Sequence, residues 1–191
     1  MKQSPLTIRR WSRAEYDRLI ELGAFEGDPI ELLGGQLVVA EPQRPYHASA
    51  VSSAAYALMT ALPQAWIVRT QLPVWLDDES EPEPDLAVVP GRPADYRLAH
   101  PARPVLIIEV AEASLAFDRK VKSSLYARAG IQDYWIVNLV DRVVEVYRNP
   151  VPDAAAAHAW SYEATTVLNP PAAVTPLAFK GIRINVADLL P

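Results

Sequence analysis

Residues 105–110 read "VLIIEV", an apolar run broken by a single carboxylate, Glu109. A half-exposed strand alternates apolar and polar side chains, so a run this apolar is expected to be a strand covered on both faces. That strand needs a layer above it and a layer below it, which restricts the chain to a layered fold. The glutamate inside it then needs a cause, because a buried carboxylate is costly unless it is paired or holds a cation.

The flanking sequence supplies the other layers. Ser12 with Glu15 fits a capping box and Gly23 a stop, which predicts a first helix over 13–22. "PIELLGGQLVVAEP" alternates about Gly34-Gly35 and predicts a hairpin with Glu31 on its first strand. "YHASAVSSAAYALMTAL" carries apolar residues at helical spacing until Pro63 ends it, and residues 65–76 read as a strand. Asp85 opens the short strand "LAVV" after an acidic, proline-rich loop. Beyond Glu109 a helix is expected from about residue 116 or 117 to Ala129, capped by Gly130. "DYWIVN" and "RVVEVYR" follow as a strand pair; "DAAAAHA" reads as a loop or short helical insertion, and the tail as at most two short strands and a turn.

Strands outnumber helices, so the fold class is α/β or α+β: a mixed central sheet with one long helix against each face, or both against one. The excess of strands argues against a doubly wound sheet, and the glycine-rich phosphate-binding loops of nucleotide-binding folds are missing. With 191 residues the chain is expected to form one domain, 1–191. No apolar run reaches roughly 18 residues and the N-terminal stretch lacks an apolar leader core, so a cytoplasmic protein with no membrane span is expected. The absence of cysteine removes disulfides, thiolate metal sites and cysteine nucleophiles. A net charge of -5 argues against a globally basic nucleic-acid coat but leaves local basic patches open.

If the strands of Asp85 and Glu109 are antiparallel neighbours, the start of one lies beside the end of the other and the carboxylates converge. Such a pair repels itself unless a cation lies between, and magnesium favours oxygen ligands of this kind. Each residue also has a plainer reading, Glu109 as a solvent-facing strand end and Asp85 as a local turn former. Lys122 stands four residues after Asp118, a spacing for a helix-surface ion pair worth about 0.2–0.5 kcal/mol. Its alternative is to reach over the carboxylates and stabilise charge on a phosphoryl oxygen, with Lys120 as the competitor. Glu31 is either a third oxygen ligand or an exposed strand residue, and His47 either an N-terminal helix contact or a packed imidazole. No histidine pair has metal-ligand spacing and no G-x-S-x-G occurs, which disfavours zinc and serine hydrolases. Tyr134 and Trp135 read as core or interface residues in preference to base-stacking ones.

Taken in order, "IELLGGQLVV", His47, "PDLAVV" and "PVLIIEVAEASLAFDRKVKSSLYARAGIQDYWIVNLVDRVVEVYR" resemble the Uma-type family of restriction-endonuclease-like proteins in the PD-(D/E)XK nuclease superfamily. The resemblance implies a restriction-endonuclease-like mixed sheet flanked by helices and a metal-dependent endonuclease site acting on DNA. It puts the PD aspartate on Asp85, the strand glutamate on Glu109, the helical lysine on Lys122 with Tyr126 after it, and the hairpin glutamate on Glu31. A magnesium ion, with manganese as substitute, would take Asp85, Glu109, Glu31 and the Val110 carbonyl. Ala111 stands where the superfamily's E-x-K places lysine, so Lys122 from the following helix replaces it. Arg9, Arg10, Arg13, Arg119, Lys120 and Arg128 are the candidate phosphate contacts. The "YWIVN" and "VVEVY" strands, read as lying near a sheet edge, suggest a homodimer. The alternative function is a nuclease-fold protein without turnover that serves assembly or regulation.

Overall fold

The computed structural model describes residues 7–40 and 43–191. Helix α1 (Arg13–Glu21) starts at Ser12, whose hydroxyl accepts from the Glu15 backbone while the Glu15 carboxylate accepts from the Ser12 backbone. That is the reciprocal arrangement the sequence predicts. Strands β1 (Ile30–Leu33) and β2 (Gln36–Val39) form the hairpin, with Gly34 and Gly35 both at positive φ, 57° and 77°. Helix α2 (Pro45–Ala61) follows, with Pro45 at its first turn, where a missing N–H costs nothing.

A six-stranded sheet carries the fold: β3 (Trp66–Thr70), β4 (Leu86–Pro90), β5 (Leu106–Ala111), β6 (Asp133–Asn138), β7 (Val143–Pro152) and β8 (Trp160–Leu168), adjacent in that order. All neighbours are antiparallel except β5 and β6. A parallel pair requires a crossover, and helix α3 (residues 115–128) supplies it. Its middle turn, Asp118–Lys122, is π-helical between the α-helical turns Leu115–Phe117 and Ser123–Arg128. Two short strands, β9 (Ala173–Val174) and β10 (Ile184–Asn185), and a final 3-10 turn (Val186–Leu189) close the chain.

Side-chain alternation assigns the two faces. Leu106, Ile108, Val110, Trp135 and Val137 face α2 and the C-terminal segment. Ile107, Ala111, Tyr134, Ile136 and Ala87 face the other way, into a cluster with Tyr126 of α3. One long helix therefore covers each face. Every residue of β5 is buried, as the apolar run requires.

Several expectations need correction. The strand read over 65–76 shortens to Trp66–Thr70, because Gln71 takes a positive φ of 51° and turns the chain. The tail yields three strands, one of them nine residues long, since Thr and Val in "ATTVL" suit a pleated surface. Strands β6 and β7 are interior strands, paired on both sides: β8 pairs along β7, and the edges are β3 and β8. The premise for dimerisation through "YWIVN" and "VVEVY" therefore fails. Tyr134 and Trp135 are fully buried core residues. No described helix is long and apolar enough to cross a membrane.

Candidate active site

The β4–β5 pairing matches Leu86 with Ile108, so one further step of the ladder sets Asp85 opposite Glu109. Both residues have the parity of Ala87, Ile107 and Ala111, which points their side chains toward α3. The two are linked reciprocally. The Asp85 backbone N–H donates to Glu109 Oε2 at 3.3 Å, and the Val110 N–H donates to Asp85 Oδ2 at 2.8 Å. The sheet thus aims both carboxylates into one cavity of about 530 Å3, which Glu31, Val110 and Lys122 also line.

Lys122 joins the set from above. Its Nζ donates to Glu109 Oε1 at 3.1 Å and lies 3.4 Å from Glu31, a residue 91 positions away in the chain. Tyr126, one turn on, donates its hydroxyl to the same Glu109 oxygen at 2.7 Å. Glu31 is fixed from its other side by the Glu83 N–H at 3.1 Å. The surface ion pair between Asp118 and Lys122 does not form. Both are buried, at 3% and 8% exposure, and Asp118 accepts instead from Ser114 Oγ. The π turn directs both residues inward, and a wider turn of this kind is frequent at functional sites.

Asp85 has three donors. Besides the Val110 N–H, His47 Nε2 lies 3.2 Å from Oδ2 and Gln71 Nε2 donates to Oδ1 at 3.2 Å. His47 stands in the first turn of α2, so the helix entry brings the imidazole to the carboxylate. The Asp85 hydrogen bond raises the His47 pKa, outweighing the burial that lowers it. Burial raises the pKa of Glu109, with Lys122 pulling it down and Asp85, Asp118 and Glu31 adding to the rise. Burial acts against the Lys122 ammonium as well, yet Glu109, Glu31, Asp118 and Asp85 together hold its pKa above the ordinary lysine value. The lysine therefore stays charged inside a nest of acids.

The remaining basic candidates are mostly engaged elsewhere. Arg119 bonds Glu145, Arg128 bonds Asp77, Arg13 bonds Asp17 and lies over the Trp75 ring, Arg9 pairs with Glu15, and Arg10 donates to the Gly34 carbonyl. Lys120 is exposed on the helix surface. Gln71 and Glu83 were invisible as site residues in the sequence. The only local hint was the acidic, proline-broken loop that carries Glu83 to the hairpin.

Among the described residues no group of three or more His, Asp or Glu is spaced to enclose a metal ion. The donor set nevertheless suits magnesium, which commonly takes one or two carboxylates and keeps several waters. Among the described residues six carboxylates, those of Glu31, Glu83, Asp85, Glu109, Glu112 and Asp118, line the cavity against Lys122 and Arg44. The pair Asp85 and Glu109 supplies hard oxygens in surroundings short of positive charge.

Comparison with known proteins agrees with this architecture. The model of the Uma2 family, described as "Putative restriction endonuclease", matches residues 13–187. No curated protein matches the chain. A solved structure from Anabaena variabilis ATCC 29413, described as a putative nuclease belonging to DUF820, superposes with a TM-score of 0.62. It is 17% identical and the match covers 84% of this chain and 88% of that one, a likeness of fold.

Proposed function

The chain belongs to the Uma2 family of restriction-endonuclease-like proteins, and from that membership and the convergent carboxylates we propose that it is a metal-dependent endonuclease hydrolysing phosphodiester bonds in DNA. The observation that carries the proposal is the reciprocal Asp85 and Glu109 pair facing a single cavity beside a charged lysine. Asp85, Glu109 and the Val110 carbonyl would hold the ion, magnesium or manganese, and Glu31 would reach it directly or through water. Bound there, it supplies Lewis acidity toward a phosphoryl oxygen and a lowered pKa for a coordinated water.

The chain's own groups do the rest. Lys122, kept protonated by its acidic neighbours, orients a water beside Glu109 or neutralises charge developing on the phosphoryl oxygens. Tyr126 fixes the Glu109 carboxylate, and His47 with Gln71 fixes Asp85. Positioning of this sort matters because small misplacements cost large factors in rate.

The test is cleavage of single-stranded and supercoiled plasmid DNA with magnesium. Asp85→Ala and Glu109→Ala are expected to abolish cleavage, and Lys122→Ala to slow it about 10²–10³-fold while leaving metal affinity nearly unchanged. Equal activity in the carboxylate variants would eliminate the assignment.

One observation favours a second reading, a nuclease fold without turnover: Lys122 already bonds Glu109 and lies close to Glu31. Calorimetric titration with magnesium or manganese separates the two. Binding that disappears in Glu109→Ala supports the enzyme, and no binding at all supports the scaffold.

A further inference from the structure

Among the described residues Phe117 stands apart from the hydrophobic core. Of the three phenylalanines, Phe25 stacks on Tyr16 and Phe179 packs edge-on against Trp66 in the core. Phe117 belongs to neither core cluster and pairs with no ring among the described residues. It lies half-buried on the wall of the acidic cavity, immediately before the π turn that delivers Asp118 and Lys122. Val38 and Val39 of β2 also line that cavity, and Val39 is 65% exposed. A charged site therefore has an apolar wall, a combination that suits a ligand with one flat apolar face and one anionic group.

A continuous duplex presents the wrong surface. Its base faces are covered by their stacked neighbours, and its outside is a track of phosphates with one charge per about 1.7 Å, read by arrays of Lys and Arg. Among the described residues the basic side chains lining this cavity are Arg44, Lys122 and His47; Lys122 is held by Glu109 and Glu31, and His47 lies against Asp85. An unstacked nucleotide offers both required parts: a base face for Phe117 and one phosphodiester for the carboxylate and lysine end. The cavity, about 530 Å3, lies within the roughly 300–1,000 Å3 that serves a single small ligand.

We infer that this cavity takes one unstacked nucleotide against Phe117, so that the substrate is single-stranded DNA in preference to continuous duplex. This rests on the nuclease reading above and narrows it.

The test is fluorescence anisotropy with a short fluorescein-labelled single strand and the duplex of the same sequence, with calcium replacing magnesium to read binding without turnover. The single strand is expected to bind at least about tenfold more tightly. Phe117→Ala should weaken that binding about tenfold, and Phe117→Trp should retain it. Duplex binding as tight as single-strand binding, binding of neither, or an unchanged affinity in Phe117→Ala overturns the inference. The two proposals fail separately. Glu109-dependent cleavage of duplex as fast as single strand keeps the nuclease and removes the single-strand preference. Phe117-dependent binding of single strands with no cleavage of either keeps the nucleotide site and removes the enzyme.

Discussion

Glu81 shows what burial does to a carboxyl that no described lysine or arginine hydrogen-bonds. It is 5% exposed, its Oε2 has no hydrogen-bond partner, and His100 Nε2 lies 3.9 Å from its other oxygen. Burial pushes its pKa up to about 7, with Asp17 adding to the rise and Arg13 opposing it. The folded protein therefore binds a proton that the unfolded chain releases near 4.5, and this group's contribution to stability falls as pH rises from about 4.5 to about 7. Glu81→Gln should match the wild type near pH 4.5 and be more stable at pH 8, by on the order of 1–3 kcal/mol. Thermal melts of both proteins across that range check it; a constant difference would show that Glu81 does not titrate there. In the sequence Glu81 is one of several acids in "DDESEPEPD", and nothing local separates it from its exposed neighbours. The same limit applies in the cavity. Asp85 and Glu109 were readable as a pair because strand order and parity alone bring them together. Gln71 and the exchange of Asp118 for Glu31 as Lys122's neighbour were not, since they depend on how distant segments pack.

Two glycines mark elements that local chemistry does encode. Gly35 closes the β1–β2 hairpin at φ 77°, and Gly130 ends α3 at φ 76°. Both were legible because turns that need positive φ call for glycine. Their surroundings differ. A Cβ at Gly35 would come within 2.5 Å of the Arg10 Cβ, whereas one at Gly130 would meet nothing within 4 Å. Gly130→Ala should thus cost about 1 kcal/mol of backbone strain, and Gly35→Ala about 1–3 kcal/mol more, read by urea denaturation. Because the hairpin carries Glu31 on β1 and Val38 and Val39 on β2, Gly35→Ala should also disturb the cavity, and Gly130→Ala should leave it alone. The π turn in α3 had no comparable sequence signal. The spacing of Asp118 and Lys122 fits a regular helix equally well, and only the demand to face the cavity with both distinguishes the wider turn.

Across the whole molecule, part of the basic charge is tied up in internal ion pairs. Arginines 13, 119, 128 and 148 bond Asp17, Glu145, Asp77 and Asp133, and the formal net charge is -5. Other basic groups, among them Arg18, Arg92, Arg97, Arg103 and Arg183, are exposed but lie outside the cavity lining, so the cavity itself offers few cations to displace counterions from a phosphate backbone. If the proposed cavity alone holds the nucleic acid, the hold comes from the site and its wall. Electrostatic binding by many surface cations weakens steeply with salt, with a logarithmic slope of about -0.7 for each phosphate neutralised on a single strand. One or two such contacts, from Arg44 and Lys122, predict a slope between roughly -0.7 and -1.4 for the labelled single strand. Base stacking on Phe117 carries no net charge and should persist at high salt. Anisotropy titrations over a potassium chloride series measure the slope directly. A slope steeper than about -3 would mean that at least four phosphates are neutralised, more than Arg44 and Lys122 can supply, and would bring exposed arginines outside the cavity into the contact.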